Sequence, residues 1–164
     1  MKRFFLAAGT ALVLACSAVH AQPAGAGDIE LRHVAETEQE VKTPDGKTEK
    51  RRVPVQQAVP GTEVVYTSTF RNIGQRSAGN ISIVNPVPAN TTLVGGSAFG
   101  ENADTVYSID GGKTWGAADK LVVVGPDGRR RAAAPSDITH IRWTYRGELP
   151  AGKQSSVGFR VVVN

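Results

Sequence analysis

The residues of this 164-residue chain that could do chemistry are three histidines, one cysteine and scattered aspartates. His33 and His140 are far apart, with no cysteine and no tight carboxylate cluster beside them, so they predict no zinc site. The remaining candidates are aspartates in separate turns that match no calcium-binding loop: Asp104, Asp110, Asp127 and Asp137. The sequence also has no glycine-rich phosphate loop and no Gly-x-Ser-x-Gly elbow. We therefore predict no catalytic residue, no metal ligand and no cofactor, and a protein that is not an enzyme.

One short motif does suggest a binding function. The stretch SIDGGKTW, residues 108–115, fits the pattern Ser-x-Asp-x-Gly-x-Thr-Trp. It resembles the Asp-box, a hairpin motif repeated in sialidases and related glycan-active propellers. Asp110 is suited to accept backbone N–H bonds, Gly111 and Gly112 to adopt positive φ, and Trp115 to cover the hairpin base. We interpret the motif as a structural turn, and carbohydrate binding through this hairpin remains the alternative hypothesis.

The first 27 residues predict export. Lys2 and Arg3 precede an apolar run over residues 4–15 and then small residues, which is the order of a secretory signal peptide and not of a membrane span. We place cleavage after Ala21, so that residues 1–21 are the signal peptide and residues 22–27 a flexible small-residue spacer. The letters VLAC resemble a bacterial lipobox, and lipidation of Cys16 is the alternative.

Composition excludes two classes of chemistry for the exported chain. The formal net charge of +4 falls by two when Lys2 and Arg3 leave with the signal peptide, so nucleic acid is not an expected partner. Cys16 is the only cysteine, so no disulfide and no thiolate chemistry are expected after cleavage. The basic runs KTEKRR and GRRR favour solvated strand edges, with an anionic-polymer patch as the alternative.

Hydrophobic periodicity predicts an all-β fold. Alternation with period two runs through residues 62–72, 138–145 and 155–163, and shorter strands are expected at 80–85 and 91–95. Three turns that favour positive φ predict hairpins: residues 34–41 with 48–55, 105–109 with 113–115, and 120–124 with 129–132. Trp143 lies in mid-strand between Ile141 and Tyr145, so we expect it to anchor the core.

Two longer stretches resemble a known family. VPGTEVVYTSTFRNIG contains Pro60, Gly61, Tyr66 and Asn72, and ITHIRWTYRGELPAGKQSSVGFRVVV ends the chain with a strand, a turn and a last strand. This pattern resembles the conserved-repeat domain family known as domain of unknown function number eleven. The resemblance covers about residues 59–163, within a single predicted domain of residues 28–164. It implies an Ig-like antiparallel β-sandwich with an extra N-terminal hairpin, located outside the cytoplasm of a bacterium, and no established catalytic residues.

The sequence therefore predicts an exported, non-enzymatic module of the cell envelope or surface, either periplasmic or secreted. Its expected partner is an envelope or surface protein or a polysaccharide. We expect no membrane span, although a lipid anchor at Cys16 would attach the chain to a membrane.

Overall fold

A computed structural model describes residues 28–164. The predicted signal peptide, the cleavage site after Ala21, the alternative lipidation site at Cys16 and the spacer all lie outside these residues. Within the described part the chain is all-β, with two short 3₁₀ turns at Ala118–Lys120 and Pro135–Asp137. The strands are β1 Ile29–Lys42, β2 Thr48–Pro54, β3 Glu63–Asn72, β4 Ala78–Gly79, β5 Ser82–Pro86, β6 Thr91–Leu93, β7 Phe99–Gly100, β8 Ala103–Ser108, β9 Val122–Val124, β10 Arg130–Ala132, β11 His140–Tyr145, β12 Glu148–Leu149 and β13 Gln154–Val163.

The strands form two main sheets. Every pair of neighbouring strands is antiparallel. The large sheet has the order β2-β1-β3-β13-β6, with β7 also paired to β13. The small sheet has the order β5-β11-β8. Two short ladders, β9 with β10 and β4 with β12, complete the pairing. The large sheet is therefore wider than the small one.

Side chains of the two sheets meet in one hydrophobic core. Phe70 and Phe159 come from the large sheet and Ile141 and Trp143 from the small one, and all four are at most 1% exposed. The rings of Trp143 and Phe159 lie 6.1 Å apart across the two sheets. The predicted role of Trp143 as a core anchor is confirmed by this burial, which follows from the period-two alternation of β3, β11 and β13.

Two of the three predicted hairpins are confirmed, and one is wrong. β1 pairs with β2 from Glu36 opposite Pro54 onward, and β9 pairs with β10 as expected. Residues 113–115 form no strand, and after the turn only a single bridge joins Tyr107 to Gly116. The reason is that the side chain of Asp110 accepts hydrogen bonds from the N–H groups of the following residues. These N–H groups are therefore not available to pair with a strand. β8 pairs with β11 instead.

The predicted strand bounds are off by one or two residues where a backbone feature interrupts the strand. Asn80 has φ of 55°, so β5 begins at Ser82 and not at residue 80. The 3₁₀ turn that ends at Asp137 delays β11 until His140. β1 is longer than predicted. Apolar and polar side chains alternate only weakly over residues 29–35, so the sequence does not identify this part of the strand, which forms by pairing with β3. The two-residue strands β4, β7 and β12 have no sequence signal.

Candidate functional site

The polar groups of the Asp-box-like turn form hydrogen bonds mainly with one another. Asp110 Oδ1 accepts hydrogen bonds from the N–H of Lys113 at 3.1 Å and of Thr114 at 2.9 Å. Asp110 Oδ2 accepts one from the Thr114 hydroxyl at 2.6 Å. Ser108 Oγ donates to Asp110 Oδ1 at 2.7 Å and accepts from the N–H of Gly112 at 2.9 Å. These bonds hold the pKa of Asp110 well below its usual range, with the Thr114 hydroxyl as the largest cause. The carboxylate therefore remains ionised as a turn-forming group.

Trp115 packs beside this turn. The guanidinium of Arg142, on the outer face of β11, lies 4.5 Å from the centre of its ring, within cation–π range. Gly111 and Gly112 have φ of 77° and 84°, as the sequence predicted. Trp115 is only half-buried. One face of its ring is occupied by Arg142, which reduces the aromatic surface open to a ligand.

The structure brings together a serine and a histidine that the sequence analysis did not pair. His33 Nδ1 lies 2.8 Å from Ser68 Oγ, and Asn85 Nδ2 donates to the same Ser68 Oγ at 2.7 Å. Ser68 is 0% exposed, so its hydroxyl is not open to solvent. A signal was present in the sequence, because Ser68 alternates with inward apolar residues and a buried hydroxyl needs a partner. The chain of three side chains joins β1, β3 and β5, and its geometry fits a structural role better than a nucleophilic one.

No other cluster offers metal chemistry within residues 28–164: the described chain contains no group of three or more His, Cys, Asp or Glu side chains placed to hold an ion. His140 lies beside the Asp-box-like turn, near Gly112, and not near His33. The carboxylates of Asp104 and Asp137 form ion pairs with Arg146 and Arg131. The Arg131 pair lowers the pKa of Asp137 to about 2.

A cleft lies between β1 of the large sheet and β5 of the small sheet. Its volume is about 310 Å³. The small sheet ends at β5, so it does not cover the inner face of β1, and the cleft is the space that remains. The surface of the cleft is mainly apolar. The residues that line it are His33, Val34, Tyr66, Thr67, Ser68, Val84, Asn85, Pro86, Pro88 and Phe159.

The backbone of β1 has a free edge beside this cleft. The carbonyl of Asp28 accepts from Ile73 on the β3 side, whereas the carbonyl of Ala35 accepts from Val55 on the β2 side. Because the direction of backbone groups alternates along a strand, the even-numbered residues of β1 bond to β3 and the odd-numbered ones face the other way. β2 reaches only as far as Ala35. The N–H and C=O groups of Ile29, Leu31 and His33 therefore have no strand beside them among the described residues.

A charged ribbon projects from the large sheet. The pairing of β1 with β3 ends at Glu36, and beyond it β1 has only β2 beside it. The base is fixed by Thr37, whose hydroxyl donates to the Glu63 carbonyl at 3.1 Å, and by Glu38, which lies 3.3 Å from Arg160. We call residues 39–51 the ribbon. Its side chains are mostly exposed.

The basic residues at the hairpin ends are largely paired with acids. In the ribbon, Lys47 lies 3.2 Å from Asp45 and Arg51 lies 3.2 Å from Glu49. In the β9–β10 hairpin, Arg129 pairs with Asp127, and Arg131 forms two hydrogen bonds to the Asp137 carboxylate. Such pairing favours the interpretation as solvated edges over a patch for anionic polymers.

The motif residues that carry the family resemblance build strand ends. Gly61 has φ of 88°, and its N–H donates to the Val163 carbonyl at 2.8 Å, directly after Pro60. Asn72 is fully buried and donates to the backbone carbonyls of Arg76, in the turn after β3, and Leu149, in β12. Tyr66 stacks on Phe159 with ring centres 5.4 Å apart. Each of these residues has a structural partner within the fold.

Comparisons with protein-family models, with curated proteins and with solved structures found no significant match to this chain. Among the described residues, none of the helices has the length and apolar character needed to cross a bilayer.

Proposed function

We propose that this chain is an exported, non-enzymatic module of the bacterial cell envelope or surface that acts by contact with a protein or polymer partner. The observation that carries the proposal is the ribbon that projects from the all-β body. The polar groups best suited to chemistry, Asp110 and Ser68, are used to hold the fold. Within residues 28–164, what the protein presents to a partner is the extended surface of the ribbon.

The ribbon supports a contact role for a physical reason. A two-stranded hairpin without a third strand or a packed face is only marginally stable in water. Here the base is tied to the body through Glu38 and Arg160, and acidic residues of β1 face basic residues of β2, as with Glu40 opposite Lys50. Cross-strand charge pairs contribute little individually, so a partner that covers the ribbon would stabilise it further.

The finer fold assignment belongs to the same proposal. Two antiparallel sheets that share one core support an Ig-like β-sandwich with an extra N-terminal hairpin, here β1 with β2. The buried Asn72 and the Pro60-Gly61 turn support the resemblance to the conserved-repeat family.

The proposed location has a direct test. Cell fractionation of the native producer should place the protein in the periplasm, at the surface or in the medium. Mass spectrometry of its N-terminus separates the two forms: a chain that begins at Gln22 is soluble, and a diacylglyceryl-modified Cys16 is anchored. A protein recovered only from the cytoplasm, with Met1 or Lys2 first, would overturn the proposal of export.

The contact role is tested by shortening the ribbon. Gln39 and Arg51 are register partners whose backbone groups face each other, so joining them through Asn-Gly gives a two-residue hairpin and removes residues 40–50. The matched control shortens β9–β10 in the same way, by joining Val123 to Arg131. Each immobilised protein is titrated with solubilised envelope, and partner capture is quantified.

We expect saturable capture by the intact chain and by the control, and at least a tenfold reduction for the ribbon-shortened variant. Equal capture by all three proteins would refute the role of the ribbon. Absence of saturable capture by the intact chain would refute the contact role itself.

Carbohydrate binding is the second candidate, favoured by the half-buried Trp115 on the outer face of the small sheet. The chain has two tryptophans, and Trp143 is buried, so ligand-induced fluorescence changes would come from Trp115. We would titrate envelope polysaccharide against the intact chain and against Trp115→Phe. A saturable change that disappears in Trp115→Phe supports this function, and no change in either protein excludes it.

A further inference from the structure

The free edge of β1 lacks the protective residues that the edges of β2 and β5 carry. Exposed edges are normally protected by proline, lysine or irregular backbone, which prevent pairing with another chain. The edge of β2 carries Lys50, and the edge of β5 ends at Pro86. Residues 29–35 of β1 contain neither proline nor lysine. They also include Leu31, whose inward-facing side chain is 44% exposed because the small sheet does not reach it.

We propose that this edge pairs with the same edge of a second copy of the chain, antiparallel, about a twofold axis at Leu31. The two large sheets would then form one continuous sheet across the axis. The exposed Leu31 side chains would meet beside the two clefts. This inference goes beyond the contact role proposed above, because it concerns self-association and uses a different surface from the ribbon.

Steric limits fix the register of such a pairing. β2 occupies the same side of β1 from Ala35 onward, where Val55 N–H donates to the Ala35 carbonyl. A second strand therefore fits only beside residues 28–34. When two identical strands pair antiparallel over these residues, the centre falls on Leu31. The direction of the backbone groups agrees with this centre, since Leu31 is one of the odd-numbered residues whose N–H and C=O groups face the free edge. Residues 29, 31 and 33 would exchange about six hydrogen bonds with the second copy.

Charge complementarity appears in this same register. Residue 30 of one copy lies opposite residue 32 of the other, so Glu30 faces Arg32 of the second copy, and the symmetric pair repeats the contact. Both side chains lie on the outer face of the large sheet, since they alternate with Leu31. Directly opposed residues in non-hydrogen-bonded pairs have their Cβ atoms close enough for opposite charges to interact. Hydrogen-bonding direction, steric limits and charge thus select one arrangement.

The test combines self-association with charge reversal. Sedimentation velocity over a concentration series should give a dimer of the purified chain with a Kd of about 10–100 µM, because the contact is smaller than a standard interface. In a dimer of Arg32→Glu, residues 30 and 32 that face each other across the contact are both acidic. In a dimer of Glu30→Arg, they are both basic. Each variant alone should dimerise about tenfold more weakly or worse.

An equimolar mixture of Arg32→Glu and Glu30→Arg should recover association as a heterodimer, since every facing pair is then of opposite charge. Misfolding of either variant could not produce this recovery. An intact chain that remains monomeric at 500 µM, roughly five times the weakest expected Kd, would overturn the proposal. Failure of the mixture to recover association would overturn the proposed register and with it the proposal.

A backbone variant tests the edge itself. Leu31→Pro removes an N–H that faces the free edge and removes no hydrogen bond to β3. The matched control is Val84→Pro. Val87 N–H donates to the Thr139 carbonyl on the inner side of β5, so by the same alternation the N–H of Val84 faces the free edge of β5. We expect Leu31→Pro to be monomeric and Val84→Pro to dimerise like the intact chain. The reverse result would assign the pairing to β5 and refute the proposal.

Discussion

Asn72 bonds the turn that follows β3 to β12 from a fully buried position at the end of β3. Its Nδ2 donates to the carbonyl of Arg76 at 2.7 Å and to that of Leu149 at 2.8 Å. Its Oδ1 accepts from Gly74 N–H at 2.9 Å. Asn72→Ala would leave these groups without their partners. At a net ~1 kcal/mol for each hydrogen bond, we expect the free energy of unfolding to fall by about 2–4 kcal/mol.

The replacement Asn72→Asp gives a sharper test, because it keeps the acceptor for Gly74 and loses both donors. At neutral pH it would bury a carboxylate against two carbonyl oxygens, so it should destabilise the protein more than Asn72→Ala does. Burial and the carbonyl neighbours raise the folded-state pKa of the new carboxyl above its unfolded value. Its penalty should therefore shrink as pH falls through the raised folded-state pKa, and be smallest below the unfolded value of about 3.9.

The assay is urea unfolding followed by tryptophan fluorescence, with Trp143 as the buried reporter. The midpoint and slope are measured for both variants at pH 7, and Asn72→Asp is compared with the intact chain between pH 3 and 7. Thr92→Ala is the control, since it removes one exposed hydrogen bond to Asn164 and should change stability by about 0.5 kcal/mol or less. A loss below ~1 kcal/mol for Asn72→Ala, or an Asn72→Asp variant no less stable than Asn72→Ala at pH 7, would refute the reasoning.

Three further predictions concern the core, a close backbone contact and the Asp-box-like turn. Trp143→Ala should lower the free energy of unfolding by about 3–5 kcal/mol in urea titrations, whereas Trp115→Ala, at a half-buried site, should lower it by clearly less. Gly158→Ala should cost about 3 kcal/mol or abolish folding, because its Cβ would clash with the Phe99 ring and the Tyr66 carbonyl oxygen. Circular dichroism melting would detect this, and an unchanged melting temperature would contradict the geometry. The lowered pKa of Asp110 means that its carboxylate stabilises the fold above the unfolded pKa of about 3.9 and that this contribution is lost as pH falls through the lower folded value. Asp110→Asn should therefore flatten the acid limb of stability against pH between pH 2 and 5, and an unaltered limb would show that the turn does not need the charge.

Much of the fold could be predicted from sequence because the deciding signals are local. Period-two alternation identified β3, β11 and β13, and the Asp-Gly turns identified two hairpins. The second predicted hairpin, after Asp110, failed for an equally local reason. Its Asp-Gly-Gly letters favour a turn, but they do not say whether the following N–H groups pair with a strand or with the Asp110 carboxylate. Only the folded loop shows that the carboxylate takes them.

The candidate surfaces were less predictable because they depend on which strands become neighbours. Nothing near Leu31 or His33 in the chain indicates that β2 stops opposite Ala35 and leaves the remaining edge of β1 open. The contact of His33 with Ser68 likewise joins residues 35 positions apart.

The amino-acid sequence by itself determined the strand-forming segments, the turns, and the face of each strand that carries apolar side chains, because backbone preference and alternation act between residues close in the chain. Tertiary structure alone decided the strand order, the width of each sheet and the edge that stays unpaired. Those features depend on the free energy of burying the whole core at once, and no short stretch of residues encodes that quantity.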